Sequence, residues 1–482
     1  MPRSRIGINP AAPVDWSTEF PFADRFRMAR EWISQREGAP WGKGPRLDLD
    51  PRGTVRHLEP GCHAETLICT IDGGRYPSGT YVLSWQGKGR VTVSGAGTAA
   101  RTAAGRIDVA VDSAKGAIFV QIRETLPSDP VRALRFVRSG ETAAPGGFRA
   151  EFLSRWQGMA AVRFMDWQLT NGSQVARWNE RPDPGDATWT RRGVPLETCI
   201  DLANQLGADP WICIPHRADD DFVRKTGAVV RARLAPGLKV WLEYSNELWN
   251  GGFEQTRFAD EQGLAMRLHD KPWEAGWRWS ALRSAEVFAR FEEGFRGRKR
   301  TVRVLASQAA NAYVAEVKLG FRDVRKQCDA LAIAPYDTYN VTPDRASAVV
   351  RAGVDGVLDH LAGPGLEECT GWMRDHRTVA RKAGLRLVAY EAGQHAVGVA
   401  GAEGDDALTR VLTAANRHPR MRAIYTRYLD RWRTVGGGDL CCLYASMGVF
   451  GRYGSFGLLE HEADRGPKHD AVRAWMRANP AD

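Results

Sequence analysis

Two short segments put carboxylates where chemistry can use them. Glu243-Tyr244-Ser245-Asn246-Glu247-Leu248-Trp249-Asn250 closes an apolar stretch that begins at Lys239, and Ala389-Tyr390-Glu391-Ala392-Gly393 closes another that begins at Leu385. An apolar strand that ends on a lone carboxylate gains no stability from it, because a buried charge is costly unless paired. Glu247 and Glu391 are therefore read as reacting groups. Two carboxyls facing each other across a substrate can divide the labour: one stays protonated and releases a leaving oxygen, the other stays ionised and attacks. Mutual repulsion raises the proton affinity of one and so separates the roles. Glu243 has the same strand parity as Glu247 but lies four positions deeper, and is read as a structural carboxylate.

Such chemistry requires elements that bring positions 247 and 391 together. Short apolar runs occur at 5–9, 161–167, 209–216, 239–247, 301–307, 329–336, 385–391 and 439–446. They show little strict alternation, as expected of parallel strands buried on both faces. Helical patterns lie between them, at 22–34, 196–206, 221–234, 277–295 and 407–432. Eight strands in a βα rhythm predict an α/β fold, a (β/α)8 TIM barrel, with polar residues at strand C-termini forming the catalytic face. Strands four and seven lie across the mouth from each other.

Residues 41–140 break the rhythm. Their β-rich runs at 65–71, 80–85, 90–94, 107–111, 117–123 and 131–137 are punctuated by Gly, Pro, Ser and Asp, as in a β-sandwich. The expected organisation is a catalytic barrel from 1–40 and 141–482, with an all-β domain, 41–140, inserted between barrel strands one and two. An insertion on that face is expected to wall one end of the cleft, with glycan binding as the alternative role.

Carboxyls about 5 Å apart suit retaining glycoside hydrolysis by double displacement, and about 6.5–9.5 Å suits inversion. At Asn246-Glu247 and Glu391 the sequence resembles clan A of the glycoside hydrolases, the retaining (β/α)8 enzymes, and within it the cellulase-like branch. The resemblance covers the barrel and not the insert. It implies that Glu247 is the acid/base, preceded by an Asn that bonds the sugar 2-hydroxyl, and that Glu391 is the nucleophile. It further implies that Arg163 in strand two and Tyr336 at the end of strand six hold the nucleophile, and that His216 at the end of strand three binds substrate. One position departs from the pattern: where clan members often carry a Trp, strand eight reads Leu443-Tyr444-Ala445-Ser446-Met447. Tyr444 is expected to substitute as the floor of the sugar site.

The implied function is a retaining glycoside hydrolase acting on β-linked poly- or oligosaccharides, without metal or organic cofactor. A transglycosylase would use the same residues, and a glycan-binding protein on a degenerate barrel is the non-catalytic alternative. Seventeen Trp are many for this length. Large aromatic faces suit the apolar C–H faces of sugars. Trp249 and one of Trp178 or Trp189, all in loops leaving the catalytic face, are expected platforms.

Composition sets the remaining bounds. At 482 residues, 43% hydrophobic and 26% charged, the chain is neither disordered, collagen-like nor a small disulfide scaffold. No apolar run approaches the ~20 residues that span a bilayer, so no membrane partner is expected. The net charge is +10, carried by 56 Arg and 11 Lys against 57 acidic residues. The basic residues are spread along the chain and no nucleic-acid motif accompanies them, so no nucleic-acid partner is expected. The eight cysteines form no CxxC and no zinc spacing; Cys62 and Cys69 are close enough in sequence to pair. Asp219-Asp220-Asp221 is read as the first turn of a helix, where carboxylates favour the helix dipole, rather than as a calcium site. Residues 1–8 carry no signal-peptide core, which leaves a cytoplasmic protein, or a secreted or periplasmic one whose leader has been removed.

Overall fold

The computed structural model describes residues 5–481 with the exception of Asp72. Eight parallel strands close into a barrel: Ile6–Asn9, Ala161–Arg163, Asp209–Ile214, Val240–Tyr244, Thr301–Ala306, Ala330–Ile333, Arg386–Ala389 and Cys441–Tyr444. Strand one closes the ring by pairing with strand eight, Ile6 opposite Cys441 and Asn9 opposite Tyr444. Every one of the eight runs seen in the sequence is a barrel strand.

The strands are buried on both faces, which is why their sequences lack polar alternation. Alternate side chains nevertheless part company. Ile6, Ile8, Val162, Ile212, Ile214 and Leu242 pack outward toward the helices. Trp211, Cys213, Trp241, Val304, Ala332 and Cys442 fill the interior. Trp211 and Trp241 stack inside the barrel with centroids 5.4 Å apart. Gly7 lets this interior close, since a Cβ there would come within 2.5 Å of Cys442 Sγ. Strands six and seven are prolonged by a second parallel pair, Asp337–Val341 with Gln394–Gly398. Tyr336 and Glu391 lie at the junctions between these two ladders.

The region between barrel strands one and two holds two antiparallel four-stranded sheets. One has the order Ile33–Arg36, Cys62–Ile68, Ile118–Thr125, Gly89–Gly95; the other Arg132–Arg138, Gly79–Gln86, Arg106–Val111, Gly97–Ala103. Two of these strands were not legible. Gly97–Ala103 is an exposed edge of small residues with no β pattern. Ile33–Arg36 lies in a stretch where the sequence predicts a helix over 22–34 and ahead of the boundary it sets at residue 41. That helix is absent. Asp24 instead caps a short 3-10 turn, Arg25–Met28, by accepting from Phe26 N–H, and the chain then runs extended to pair with Cys62–Ile68. Tertiary pairing outweighs a weak local helix preference. Asp24 also accepts from Phe136 N–H at 2.9 Å, and Thr70 N–H donates to Asp15 O at 2.8 Å. The apolar side chains of the two sheets are continuous with those between barrel and helices.

Helices Leu196–Leu206, Asp220–Arg233 and Pro272–Phe295 lie where the periodicity puts them. The pattern over 407–432 is two helices, Asp406–Arg417 and Met421–Arg431. Pro419 between them cannot supply a helical N–H, so the helix breaks there. Asp219 caps Asp220–Arg233 by accepting from Phe222 N–H at 2.7 Å, and Asp220 pairs with Arg283 and Arg290, so the three aspartates do helix work. All eight cysteines are buried free thiols; Cys62 and Cys69 do not pair.

Candidate active site

Arg163 ends barrel strand two inside the ring and is fully buried. Its guanidinium is shared by four side chains. It donates to Glu391 Oε1 at 2.8 Å, Glu243 Oε2 at 3.0 Å, Asn246 Oδ1 at 2.7 Å and Asn9 Oδ1 at 3.2 Å. A planar fork of N–H donors suits this multiple capture. Asn9 in turn donates to the carbonyls of Tyr390 and Leu443, tying strand one to strands seven and eight. Glu391 receives a second bond, from Tyr336 O–H at 2.8 Å. Burial, and after it the Glu391 charge, pushes the Tyr336 phenol well up, so it remains a donor.

Glu247 has a different environment. Tyr390 O–H and Asn250 Nδ2 donate to its two oxygens at 2.8 and 2.9 Å, and no guanidinium touches it. Burial, and then the charge of Glu391, pushes its carboxyl up to about 7. Its backbone is left-handed, φ +45°, as is that of Ser245, φ +60°. Such a conformation costs of order 1–3 kcal/mol per non-glycine residue and persists only where the surroundings hold it. Here Ser245 N–H donates to Ile214 O, and Glu247 O accepts from Asn250 N–H and Thr256 Oγ1. The two kinks turn Asn246 and Glu247 off the end of strand four. Glu243, one turn of the pleat deeper, is closed off by Arg163, Trp211 Nε1 and Cys213 Sγ, which fits its structural assignment.

No protein-family model matches the chain, and no curated protein does. Among solved structures it is similar to a 4-O-α-L-rhamnosyl-β-D-glucuronidase from Fusarium oxysporum 12S, with 10% identity over 68% of this chain and 64% of that one and a TM-score of 0.40. It is also similar to a Bacteroidetes-affiliated GH5 cellulase (14% identity, 71% and 88% of the two chains, TM-score 0.37). The endo-β-1,4-mannanase of Thermotoga petrophila is a third (14%, 69% and 72%, TM-score 0.35). The chain thus spans less than two thirds of the glucuronidase's length. Identities this low concern the fold alone.

The other residues singled out in the sequence are placed as follows. Asn246 is buried, and its Nδ2 donates to Asn171 Oδ1 at 3.0 Å, its one hydrogen bond as a side-chain donor among the described residues. Gln255 holds that arrangement, donating to both Asn171 Oδ1 and Asn246 O. His216 is buried with its ring edge-on to Phe258, and neither ring nitrogen has a hydrogen-bond partner among the described residues. Burial, then Arg217, lowers it to about 4, so the imidazole is neutral at physiological pH. Trp249, two residues past Glu247, is half-buried, and its Nε1 likewise has no partner among the described residues. Trp178 packs against Phe222 with Arg181 over its ring, lining a small cavity that neither candidate carboxylate lines. Trp189 is core: it is buried edge-on against Phe22, so no sugar can reach it as a platform.

Tyr444 ends strand eight and hydrogen-bonds Asp166, three residues past Arg163. Both line a cavity of about 320 Å³ that reaches Trp16 and Phe456. Burial, then Glu391, pushes the Asp166 carboxyl up to about 7. Asp166, Asn9 and Tyr390 were not anticipated. Asn9 carries the one available signal, a polar residue closing an apolar strand. Tyr390 and Asp166 look like ordinary strand and loop residues until their partners are known.

Proposed function

We propose that the protein is a retaining glycoside hydrolase that cleaves β-linked poly- or oligosaccharides. The observation that carries this is the unequal treatment of two carboxyls on opposite strand ends. Glu391 is held between a buried guanidinium and a phenol, Arg163 and Tyr336. Glu247 has only neutral donors and titrates near 7. An ionised nucleophile and an acid that keeps its proton near neutrality are what double displacement requires.

In the first step Glu391 attacks the anomeric carbon while Glu247 passes its proton to the departing glycosidic oxygen, leaving a glycosyl ester on Glu391. In the second, Glu247 takes a proton from water, which attacks the anomeric carbon, breaks its bond to the Glu391 carboxylate and frees the sugar with its configuration retained. Asn246 keeps one N–H for the 2-hydroxyl of the sugar, because Arg163 and Asn171 fix the rest of its amide. In this reading neutral His216 and Trp249 line the sugar cleft. Tyr444, with Asp166, takes the place of the expected Trp floor.

An activated β-configured 2-fluorosugar tests this. It is expected to inactivate the enzyme and to add its mass to the peptide bearing Glu391. A first product of inverted anomeric configuration, seen by proton NMR, would refute the assignment.

A further inference from the structure

Three cavities follow one another from the loop after barrel strand two along the seam between the barrel and the antiparallel sheets. The first, about 550 Å³, lies in the loop after barrel strand two, between Asn171 and the pair Arg191–Arg192. Asn171 is the residue that accepts from Asn246, the neighbour of Glu247. The second, about 380 Å³, shares Arg191 and continues to Arg46 and Trp32. The third, about 320 Å³, shares Trp32 and continues to Arg52, Arg132 and Arg135. Neighbouring cavities share the side chains Arg191 and Trp32 and are taken together as one track, whose link to the candidate acid is the bond between Asn171 and Asn246.

Seven arginines and three carboxylates line the track. Five of the arginines are in ion pairs, Arg27 and Arg135 with Asp24, Arg52 with Asp183, Arg132 with Asp129 and Arg192 with Asp186, which leaves Arg46 and Arg191 unpaired among the described residues, and the three lining carboxylates are engaged locally. Asp50 accepts from the N–H groups of Arg52 and Thr54, Glu180 from those of Ala176 and Arg177, and Asp186 pairs with Arg192 at 2.7 Å. Arg46 has neither a hydrogen bond nor an ion pair among the described residues, and it is exposed. Arg191 donates only to a carbonyl, Pro51 O at 2.7 Å, which pins the loop to the inserted sheets and leaves the guanidinium without a counter-charge. Between these two arginines stands Trp32, half-buried and fixed by its N–H to Gly53 O at 3.1 Å. A rigid indole flanked by unpaired guanidinium groups matches a sugar whose ring has an apolar face and whose substituent is an oxyanion.

We propose that the track binds a β-glycan chain carrying carboxylate or sulfate groups, with Trp32 against a sugar face and Arg46 and Arg191 on the anionic substituents. This rests on the glycosidase assignment for what happens at the end of the track. It gives the inserted sheets a role: they supply the far wall of an anionic substrate's path.

The test uses the full chain and three soluble derivatives of one β-glucan: carboxymethylcellulose, cellulose sulfate and hydroxyethylcellulose. Affinity by titration calorimetry is expected to be about tenfold or more higher for one or both charged polymers at low salt, the gap closing at high salt as screening sets in. Which charged polymer binds tighter distinguishes carboxylate from sulfate. Arg46→Gln with Arg191→Gln is expected to remove most of the gap, and Arg46→Lys with Arg191→Lys to keep most of it. Equal affinity for charged and uncharged polymers overturns the proposal, as does an undiminished gap in the Gln pair. A single-stranded oligonucleotide that outcompetes both charged polymers at these arginines overturns it in favour of nucleic acid. If Glu391 is labelled by the fluorosugar and no anionic preference is found, this proposal alone falls. If Glu391 is not labelled but the charge-dependent binding is present, the glycosidase assignment falls and the track stands as a glycan-binding site.

Discussion

Tyr390, the chain neighbour of Glu391, donates its hydroxyl to Glu247 across the barrel mouth at 2.8 Å. One strand end thus presents one candidate carboxylate and holds the other. Arg163 adds a second bridge, reaching Glu391 on one side and Asn246 on the other. The positions of the two carboxyls are therefore set jointly, by strands two, four and seven.

Removing either carboxyl should have a different signature. Glu247→Gln is expected to lower kcat/KM by about 10²–10⁴ on substrates with poor leaving groups, and much less on activated aryl glycosides. Glu391→Gln is expected to abolish turnover on both. With Glu247→Ala and an activated substrate, azide should restore turnover as the β-glycosyl azide. Steady-state rates and product NMR check each outcome.

The pH profile follows from Glu247. As the acid it must carry a proton, so kcat/KM should fall as pH rises through about 7. The same shift acts on stability. Folded Glu247 keeps its proton to about pH 7, whereas the unfolded chain releases it near 4.5. The folded state binds the extra proton over that window, so this group's contribution to stability declines from pH 4.5 to 7 and is level above. Urea unfolding of Glu247→Gln should show a shallower decline over that range than the parent.

Tyr390→Phe separates positioning from packing. Its hydroxyl stabilises the ionised form of Glu247, which opposes the upward shift. Without it the alkaline limb of the rate profile should move to higher pH. A profile that scales down without moving would show that the hydroxyl serves packing only.

Arg163→Met should be costly to the fold as well as to the rate. It leaves Glu243 buried without its guanidinium, and breaking a buried pair by deleting one partner costs about 3–5 kcal/mol. Glu243→Gln introduced into Arg163→Met should recover part of that loss, which a double-mutant cycle of unfolding free energies will measure.

Residues 41–140 are proposed as a separable unit, but their seam with the barrel has contents. A linker in their place would strip Ile33–Arg36 of its partner strand and Asp24 of the Phe136 N–H. The truncated chain is expected to fold and melt cooperatively at a lower temperature, by about 1 °C for each kcal/mol lost. Calorimetry checks this, and a chain without a cooperative transition would show that the sheets and barrel fold as one.

The order and number of barrel strands, and the carboxylates at the ends of the fourth and seventh, could be read from the amino-acid order. Strands buried on both faces are written as short apolar runs, and a Glu that ends such a run stands out against it. Arg163, Tyr336 and Tyr444 were accessible only through the resemblance to clan A, which gives those strand positions a role. What required the folded chain was everything that depends on a partner distant in sequence. Trp189 and Trp249 are alike as residues in polar loops, yet one is core and the other half-buried, because Phe22 and Arg27 cover the first. Residues 22–34 have a helical pattern and become a turn and a strand, since Cys62–Ile68 offers backbone partners that the local pattern cannot reveal. Tyr390 has the same composition whether it packs or catalyses. Only barrel closure, which brings strand seven opposite strand four, puts its hydroxyl on Glu247 and the charge of Glu391 close enough to raise that carboxyl toward neutrality.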